Sequence, residues 1–225
     1  MLKIGHRGTR GYEPENTLVS FQKAIDLQAD GIELDVHLSA DGELMVIHDE
    51  TVDRTTDGKG AVNTLSLLEL KSFRIGKKQT IPTLAEVFDL VNRQCFINIE
   101  LKSYETADKV VDLIEKYVEK KNWKYTDFLV SSFDWNSLRQ LTALNSEIPV
   151  GVLTETDLGL ALAFAKSIQA KSIHPDFQLL TKENTARLQE EGFQVFPWTV
   201  DETADIKKIK SFKVNGIITD FPDRI

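Results

Sequence analysis

The sequence predicts an α/β fold, a (β/α)8 TIM barrel with a small insertion after the second strand. Short β-rich runs alternate with segments of helical period, which is typical of parallel βαβ architecture. The chain has 225 residues, close to the size of about 250 that one such barrel needs. An open doubly wound sheet is the alternative, but no G-x-G-x-x-G motif follows the first strand, which weakens its dinucleotide-binding form.

Eight strands are predicted from the β-rich runs, over residues 2–5, 31–36, 95–102, 128–133, 149–153, 171–175, 193–200 and 216–220. Helices are predicted between them, near residues 16–28, 83–93, 106–121, 135–145, 158–168, 181–191 and 203–212. Capping boxes of the form S/T-x-x-E at 66–69 and 83–86 mark two helix starts. Because the last strand ends in TDFPDRI, we expect the closing helix to be missing or reduced to a turn.

The alternation is interrupted after the second strand. The segment HLSADGELMVIHDE, residues 37–50, has the pattern of a hairpin, with Asp41-Gly42 as a two-residue turn signal. The hairpin would return His48 to the strand ends. Residues from about 50 to 80 then form an insertion, which we expect on the face that carries the βα loops. Residues 1–225 are interpreted as a single barrel domain that contains this insertion.

The composition argues against several classes of partner and location. The net charge of -8 disfavours nucleic acid and an anionic membrane surface, because both attract basic proteins. No apolar stretch approaches the ~18 residues of a membrane span, and no signal peptide precedes the strand at 2–5. We therefore expect a cytoplasmic protein without stable membrane association. The lone cysteine, Cys95, lies in an apolar run and is expected to be buried.

Carboxylates occur near the ends of the second and third predicted strands. Side chains alternate along a strand, so Glu33 and Asp35 share one face, as do Glu100 and Lys102. If that face is the barrel interior, three carboxylates converge and require a cation among them. Ligation by carboxylate oxygens suits Mg²⁺ or Ca²⁺ better than Zn²⁺. The alternative is that Glu33 and Asp35 face outward into solvent.

Two histidines are candidates for proton transfer. His6 ends the first strand and His48 ends the hairpin, and imidazole titrates near neutral pH. Arg7 and Lys102 would add donors for an anion, although Lys102 could instead form a salt bridge with Glu100. On an extended strand Arg7 would point away from its neighbour His6, so its contribution requires a turn, which the glycines that follow would permit.

Other residues have two interpretations each. Asn16 stands where a helix begins, so it is either an N-cap or a site residue. Trp198 and Phe133 end predicted strands and could form a pocket wall for the organic part of a substrate or pack in the core. His37 is expected to have a supporting role or none. His174 could line the pocket or be structural.

Seven motifs in order, from residue 5 to residue 223, carry a resemblance to a known family. They are GHRG, PENT, GIELDVHLSADGELMVIHDETVDRTTDGKG, INIELK, VSSF, PWTV and GIITDFPD. Together they resemble the glycerophosphodiester phosphodiesterase family, in its short, cytoplasmic type. The resemblance implies a TIM barrel that cleaves small substrates such as glycerophosphocholine and glycerophosphoethanolamine to glycerol 3-phosphate and an alcohol.

The resemblance also implies roles for individual residues. Glu33, Asp35 and Glu100 would hold a divalent metal, Mg²⁺ or Ca²⁺. His6 and His48 would be the catalytic acid and base. Arg7 and Lys102 would bind the phosphate.

Two other functions remain open from the sequence. One is a phospholipase C-like or D-like enzyme that acts on lysophospholipid or phosphoinositide, for which the insertion has only a modest apolar content. The other is a phosphate-ester binding barrel without turnover, which would be expected to lack one of the histidines or carboxylates. A missing closing helix could also leave a flank that a second copy of the chain covers.

Overall fold

The computed structural model describes residues 1–76 and 78–225. Its strands are β1 Leu2–Gly5, β2 Gly31–Leu38, β3 Leu44–Val46, β4 Phe96–Leu101, β5 Phe128–Ser132, β6 Val150–Thr154, β7 Ser172–Pro175, β8 Gln194–Val195 and β9 Gly216–Thr219. Its α-helices are α1 Leu18–Asp26, α2 Leu67–Ser72, α3 Leu84–Val91, α4 Thr106–Lys121, α5 Trp135–Leu144, α6 Leu158–Ser167, α7 Lys182–Glu190 and α8 Thr203–Ser211.

Eight of the strands form a parallel sheet that closes into a barrel. Their order is β8-β7-β6-β5-β4-β2-β1-β9, with β3 paired to β2 outside this path. Backbone hydrogen bonds then join the two ends of the sheet: Ile218 donates to Pro197 at 3.0 Å, and Val200 donates to Ile218 at 3.1 Å. The predicted (β/α)8 barrel is confirmed, and the open doubly wound alternative is wrong.

The strand predicted over 193–200 is much shorter than expected. Only Gln194–Val195 forms a regular ladder, with β7. Backbone hydrogen bonds to β7 continue past this ladder, from Phe196 N–H to Ile173 and from Trp198 N–H to Pro175, whereas Pro197 has no N–H to donate toward β9. The extended backbone at 197–200 still closes the barrel through its hydrogen bonds to β9. The apolar pattern therefore predicted an extended segment correctly, but not a regular strand along its whole length.

The predicted hairpin is present, but its turn differs. Strands β2 and β3 pair antiparallel, with Val36 opposite Val46. The two-residue turn at Asp41-Gly42 is wrong, because Ser39 still pairs with Glu43 and Gly42 donates to the Ser39 carbonyl at 3.0 Å. The loop therefore has three residues and ends at Gly42, whose φ of 84° favours glycine.

The segment that follows the hairpin contains α2 and a single 3-10 turn at Val62–Thr64. A small apolar cluster, separate from the main core, packs beneath it; its members are Met45, Ile47, Val52, Val62, Leu70, Ile75 and Ile81. Both predicted capping boxes form, with Ser66 as the N-cap of α2 and Thr83 as the N-cap of α3.

Inside the barrel, apolar residues fill the end where the strands begin. Ile4, Leu129, Phe196 and Ile218 form one buried cluster there. One pleat further along, the inward positions become polar, so the interior is apolar below and charged above.

The main apolar core lies between the strands and the helices, and Cys95 belongs to it. Its burial is as predicted and raises the pKa of the thiol to about 12. After β9 the chain forms one 3-10 turn, Pro222–Arg224. In the part of the chain that the structure describes, the helices are too short or too polar to cross a bilayer.

Candidate active site

A cavity of about 270 Å³ opens at the carboxyl ends of the barrel strands. The residues predicted as catalytic, phosphate-binding or metal-binding all line it except Asp35, whose carboxylate lies within 4.8 Å of those of Glu33 and Glu100 in the lining. The strand ends of a closed parallel barrel all meet on this face, so residues distant in sequence converge there. Residues predicted from separate sequence motifs therefore lie together at one end of the barrel.

The three predicted carboxylates converge in the barrel interior. Glu33 and Asp35 lie on β2, and Glu100 lies on β4 directly opposite Asp35 in the strand register. One oxygen from each carboxylate lies within 4.8 Å of the other two. The outward-facing alternative for Glu33 and Asp35 is thus wrong, because both side chains are buried.

The pKa values of these carboxyl groups reflect crowding. Burial raises the pKa of Glu33 well above its usual value, and the charges of Asp35 and Glu100 raise it further. Burial and the charge of Asp35 raise the pKa of Glu100 to about 7. For Asp35, burial is outweighed by Lys102 and Arg7, which hold its pKa below the usual value. Three crowded carboxylates that repel one another fit a hard divalent cation.

Lys102 and Arg7 are the basic residues nearest to the cluster. Lys102 Nζ donates to Glu100 Oε1 at 2.7 Å and lies 3.5 Å from Asp35 Oδ1. The salt bridge that the sequence left as an alternative for Lys102 is therefore present, although the same ammonium group lines the cavity. Arg7 Nε lies 3.5 Å from Asp35 Oδ2, and its backbone N–H donates to Glu33 at 2.8 Å.

The chain turns at Arg7, as its predicted role requires. Strand β1 ends at Gly5, and Arg7 has a φ of 49° in the left-handed region. Gly8 follows with a φ of 86°, and a Cβ there would overlap Ser20 of α1. The turn brings both His6 and Arg7 to the cavity instead of placing them on opposite faces of a strand.

Each of the two candidate histidines is held through Nδ1 by an aspartate. His6 Nδ1 lies 2.6 Å from Asp220 Oδ1, just beyond β9. His48 Nδ1 lies 2.7 Å from Asp49 Oδ1. A carboxylate at Nδ1 selects the tautomer in which Nδ1 carries the proton and leaves Nε2 for a substrate. Burial lowers the pKa of His48 below its usual value.

Arg54, from the segment after the hairpin, holds the His48 partner in place. Its Nε and Nη2 atoms donate to the Asp49 carboxylate at 2.6 and 2.9 Å. The same guanidinium donates to both oxygens of Glu15, in the loop between β1 and α1. Although burial opposes ionisation of Glu15, hydrogen bonds from Arg54 and the charge of Arg7 lower its pKa to about 2. The inserted segment is thereby attached to the loop that follows β1.

Asn16 is a site neighbour and not a helix cap. The N-cap of α1 is Thr17, whose side chain accepts from Ser20 N. Asn16 has a φ of 55°, and its Nδ2 donates to Asp35 Oδ2 at 2.8 Å. The N-cap interpretation is therefore wrong. The amide instead fixes the orientation of the Asp35 carboxylate.

Two of the remaining candidates form part of the cavity wall. Trp198 and Phe133 line it and meet edge to face, with ring centroids 5.4 Å apart. His37 supports the site through the backbone, because its Nε2 lies 3.1 Å from the His48 carbonyl oxygen. His174 is fully buried outside the lining, with Nε2 2.8 Å from Ser172 Oγ, which makes it structural.

Several residues of the site were not identified from the sequence. Asp220 and Asp49 hold the histidines, Arg54 holds Asp49, and Asn98 and Ser131 line the deep part of the cavity. The alternation of side chains between the two faces of a strand, applied to every predicted strand, could have identified three of them. Asp220, Asn98 and Ser131 each lie an even number of residues from an inward-facing residue of the same strand. Nothing local in the sequence indicates the contact of Arg54.

Comparison with known proteins agrees with this geometry. A model of the Glycerophosphoryl diester phosphodiesterase family matches residues 6–224. The glycerophosphodiester phosphodiesterase of Caldanaerobacter subterraneus subsp. tengcongensis is 38% identical over 237 residues, covering 100% of this chain and 96% of that protein. The protein of the same name from Bacillus altitudinis is 39% identical over 242 residues, covering 100% of this chain and 96% of that protein.

Two solved structures show the same barrel. An Oleispira antarctica phosphodiesterase in complex with the product sn-glycerol-3-phosphate has a TM-score of 0.92 and 27% identity, covering 99% of this chain and 94% of that one. A glycerophosphodiester phosphodiesterase from Thermotoga maritima has a TM-score of 0.84 and 30% identity, covering 99% and 96%. The match of the family model along almost the whole chain, with relatives of this identity, shows that the chain belongs to the glycerophosphoryl diester phosphodiesterase family.

Proposed function

We propose that this protein hydrolyses small glycerophosphodiesters, such as glycerophosphocholine and glycerophosphoethanolamine, to glycerol 3-phosphate and an alcohol, and that it requires a divalent metal. The observation that carries the proposal is the arrangement of two imidazoles, each anchored by an aspartate, beside three converging carboxylates in one cavity. Family membership supports the reaction class, and the product-bound relative supports the glycerol 3-phosphate part of the substrate.

The donor set supports metal dependence. Glu33, Asp35 and Glu100 would hold Mg²⁺ or Ca²⁺, because both ions prefer oxygen ligands and the cluster repels itself without a cation. When bound, such an ion offsets the negative charge that develops on phosphate oxygens during displacement. The cation also explains how a protein with a net charge of -8 could bind an anionic diester.

The chain's own residues then position the diester and move protons. Arg7 and Lys102 line the cavity beside the cluster and would donate to the phosphate oxygens. His6 and His48 would each use Nε2, one to accept a proton from the attacking oxygen and the other to donate a proton to the departing alcohol. Asp220 and Asp49 would fix the imidazoles in the tautomer that these transfers require.

The aromatic wall would contact the organic part of the substrate. Trp198 cannot turn freely, because its indole N–H donates to the His174 carbonyl at 2.8 Å. Phe133 is 43% exposed and stands at the cavity opening. A choline or ethanolamine group that leaves through this opening would pass these rings, whose faces attract cations.

The direct test is release of glycerol 3-phosphate from glycerophosphocholine, measured with Mg²⁺ or Ca²⁺ and again after chelation. We expect release with metal, loss on chelation and recovery on metal addition. Release that survives the chelator would refute the metal requirement. No release from any glycerophosphodiester of a panel, with metal supplied, would refute the substrate class.

A further inference from the structure

Two buried polar side chains in the deep part of the cavity lack partners. Asn98 on β4 is 1% exposed and Ser131 on β5 is 0% exposed. Both line the cavity. Within residues 1–76 and 78–225, neither Asn98 Oδ1 nor Ser131 Oγ has a hydrogen-bond partner. Buried polar groups in folded proteins are nearly always paired, so these two atoms indicate a ligand.

Unpaired buried polar atoms also occur outside the cavity, at Asn16 Oδ1 and Gln140 Oε1, but neither of those side chains lines it. Ser132, the next residue on β5, faces away from the barrel interior, and its Oγ donates to the Leu101 carbonyl at 2.7 Å. His174 also has one unpaired nitrogen, but its other nitrogen is bound by Ser172 and it lies outside the cavity lining. In the cavity lining Arg7 Nε also lacks a hydrogen bond to any described residue, but it faces the Asp35 carboxylate at 3.5 Å. Asn98 and Ser131 are the uncharged residues of the described lining whose buried polar atoms are unpaired.

The strand register gives the position of this pair relative to the carboxylates. Asn98 lies opposite Glu33, and Ser131 lies opposite Glu100. Because Asn98 precedes Glu100 by two residues on the same strand, it lies one pleat, roughly 6.6 Å, nearer the closed end of the barrel. The pair therefore lies beside the carboxylate cluster, level with Glu33 and Glu100, and further into the barrel than Phe133 at the opening.

We propose that Asn98 and Ser131 form a subsite for the terminal hydroxyl group of the substrate's glycerol. This inference rests on the proposed function, which places the phosphate beside the histidines and the carboxylate cluster. In a glycerol phosphodiester the C2 hydroxyl remains next to the phosphate, whereas the terminal hydroxyl extends furthest from it. An amide and a hydroxyl each offer a donor and an acceptor, so together they can satisfy both hydrogen-bonding capacities of one alcohol.

The subsite would make the enzyme specific for the glycerol half of its substrate. Replacing the terminal hydroxyl by hydrogen gives the propane-1,2-diol diester, which keeps the phosphate, the C2 hydroxyl and the choline. That analogue would leave Asn98 and Ser131 unpaired in the complex. A site built to bind a hydroxyl discriminates strongly against the analogue that lacks it.

The test compares kcat/KM for glycerophosphocholine and for its propane-1,2-diol analogue. We expect wild type to prefer the glycerol compound by about 100-fold or more. Asn98→Ala and Ser131→Ala should each reduce that ratio by about tenfold or more, by losing activity on the glycerol compound alone. Ser132→Ala, a matched change on the opposite face of β5, should keep the wild-type ratio. A ratio unchanged in both cavity variants would overturn the subsite.

Metal titration separates the subsite from a fourth metal ligand. We expect Asn98→Ala to bind Mg²⁺ or Ca²⁺ as tightly as wild type, whereas weakening by about tenfold or more would make Asn98 a ligand and overturn the proposal. Ser131→Ala, which removes a single oxygen, carries the test if Asn98→Ala does not fold. Absence of turnover in wild type would refute the proposed function and the subsite with it, whereas equal turnover of both diesters would refute the subsite alone.

Discussion

His6 Nδ1 lies 2.6 Å from Asp220 Oδ1, which joins the turn after β1 to the turn after β9 across 214 residues of sequence. The backbone reinforces the contact, because the His6 N–H donates to the Thr219 carbonyl at 2.8 Å. Both side chains are mostly buried, with 11% and 14% of their surfaces exposed. The pairing of the first and last strands of the chain thus also orients a candidate catalytic imidazole.

Asp220→Asn is expected to lower kcat by about 10²- to 10⁴-fold, because the amide no longer selects the Nδ1-protonated tautomer of His6. Metal affinity should be unchanged, because Asp220 lies outside the carboxylate cluster. Steady-state kinetics with glycerophosphocholine measures the effect. Asp223→Asn is the matched control, because Asp223 is exposed and bonds only Tyr12 among the described residues. Equal activity in wild type and Asp220→Asn would show that this contact has no part in the reaction.

Arg54→Met should lower kcat by about 10- to 100-fold, because the Asp49 carboxylate would lose the guanidinium that fixes it and His48 would move. Arg54→Lys should recover little of the loss, since an ammonium group lacks the planar fork with which the guanidinium donates two hydrogen bonds to each carboxylate. Lys59→Met serves as control, because its salt bridge with Asp53 is exposed. A kcat within twofold of wild type for Arg54→Met would contradict the positioning role.

Metal binding should raise the unfolding temperature of wild type and not of Glu33→Gln. An ion at 100 times its Kd stabilises the folded state by about 2.7 kcal/mol. Without metal, Glu33→Gln should unfold at the same temperature as wild type or higher, because burial and two neighbouring carboxylates already raise the pKa of Glu33. The exposed Glu43→Gln should show the full metal effect. An undiminished effect in Glu33→Gln would remove that residue from the metal site.

The buried imidazole of His174 should make the stability of the folded protein depend on pH. Burial lowers its pKa from 6.5 to about 3, so between these values the unfolded chain binds a proton that the folded protein does not. Stability should therefore fall as pH falls below 6.5. From pH 7 to pH 5 wild type should lose about 2 kcal/mol more than His174→Gln, in which this titration is absent. Urea unfolding of both proteins at the two pH values measures this difference. Equal losses of unfolding free energy in the two proteins would show that His174 does not cause the pH dependence.

The sequence predicts the barrel and the site to different extents. Strict alternation places Glu33, Asp35 and Glu100 on inward positions, and a parallel barrel brings all strand ends to one face. These two rules depend only on local pattern and topology, which the alternating β-rich and helical segments indicate. The carboxylate cluster and the two histidines could therefore be predicted together.

Contacts between loops could not be predicted in the same way. Arg54 reaches Glu15 across 39 residues, through a segment whose path depends on its own apolar cluster. The N-cap pattern at Asn16 is ambiguous because Thr17, the next residue, is also of a type that caps helices, and it is the cap that forms. Pro197 has no backbone N–H to donate toward β9, so the pairing there is irregular although the apolar pattern continues.

The proposed reaction depends most on His6 and His48 as the pair of side chains that move protons. Its most direct test is the rate of glycerol 3-phosphate release from glycerophosphocholine at saturating metal, for wild type, His6→Ala and His48→Ala, with metal affinity measured for each. We expect each variant to lose about 10²- to 10⁴-fold in kcat while binding the metal as wild type does. Undiminished kcat in either variant would contradict the proposal that both histidines transfer protons in the reaction.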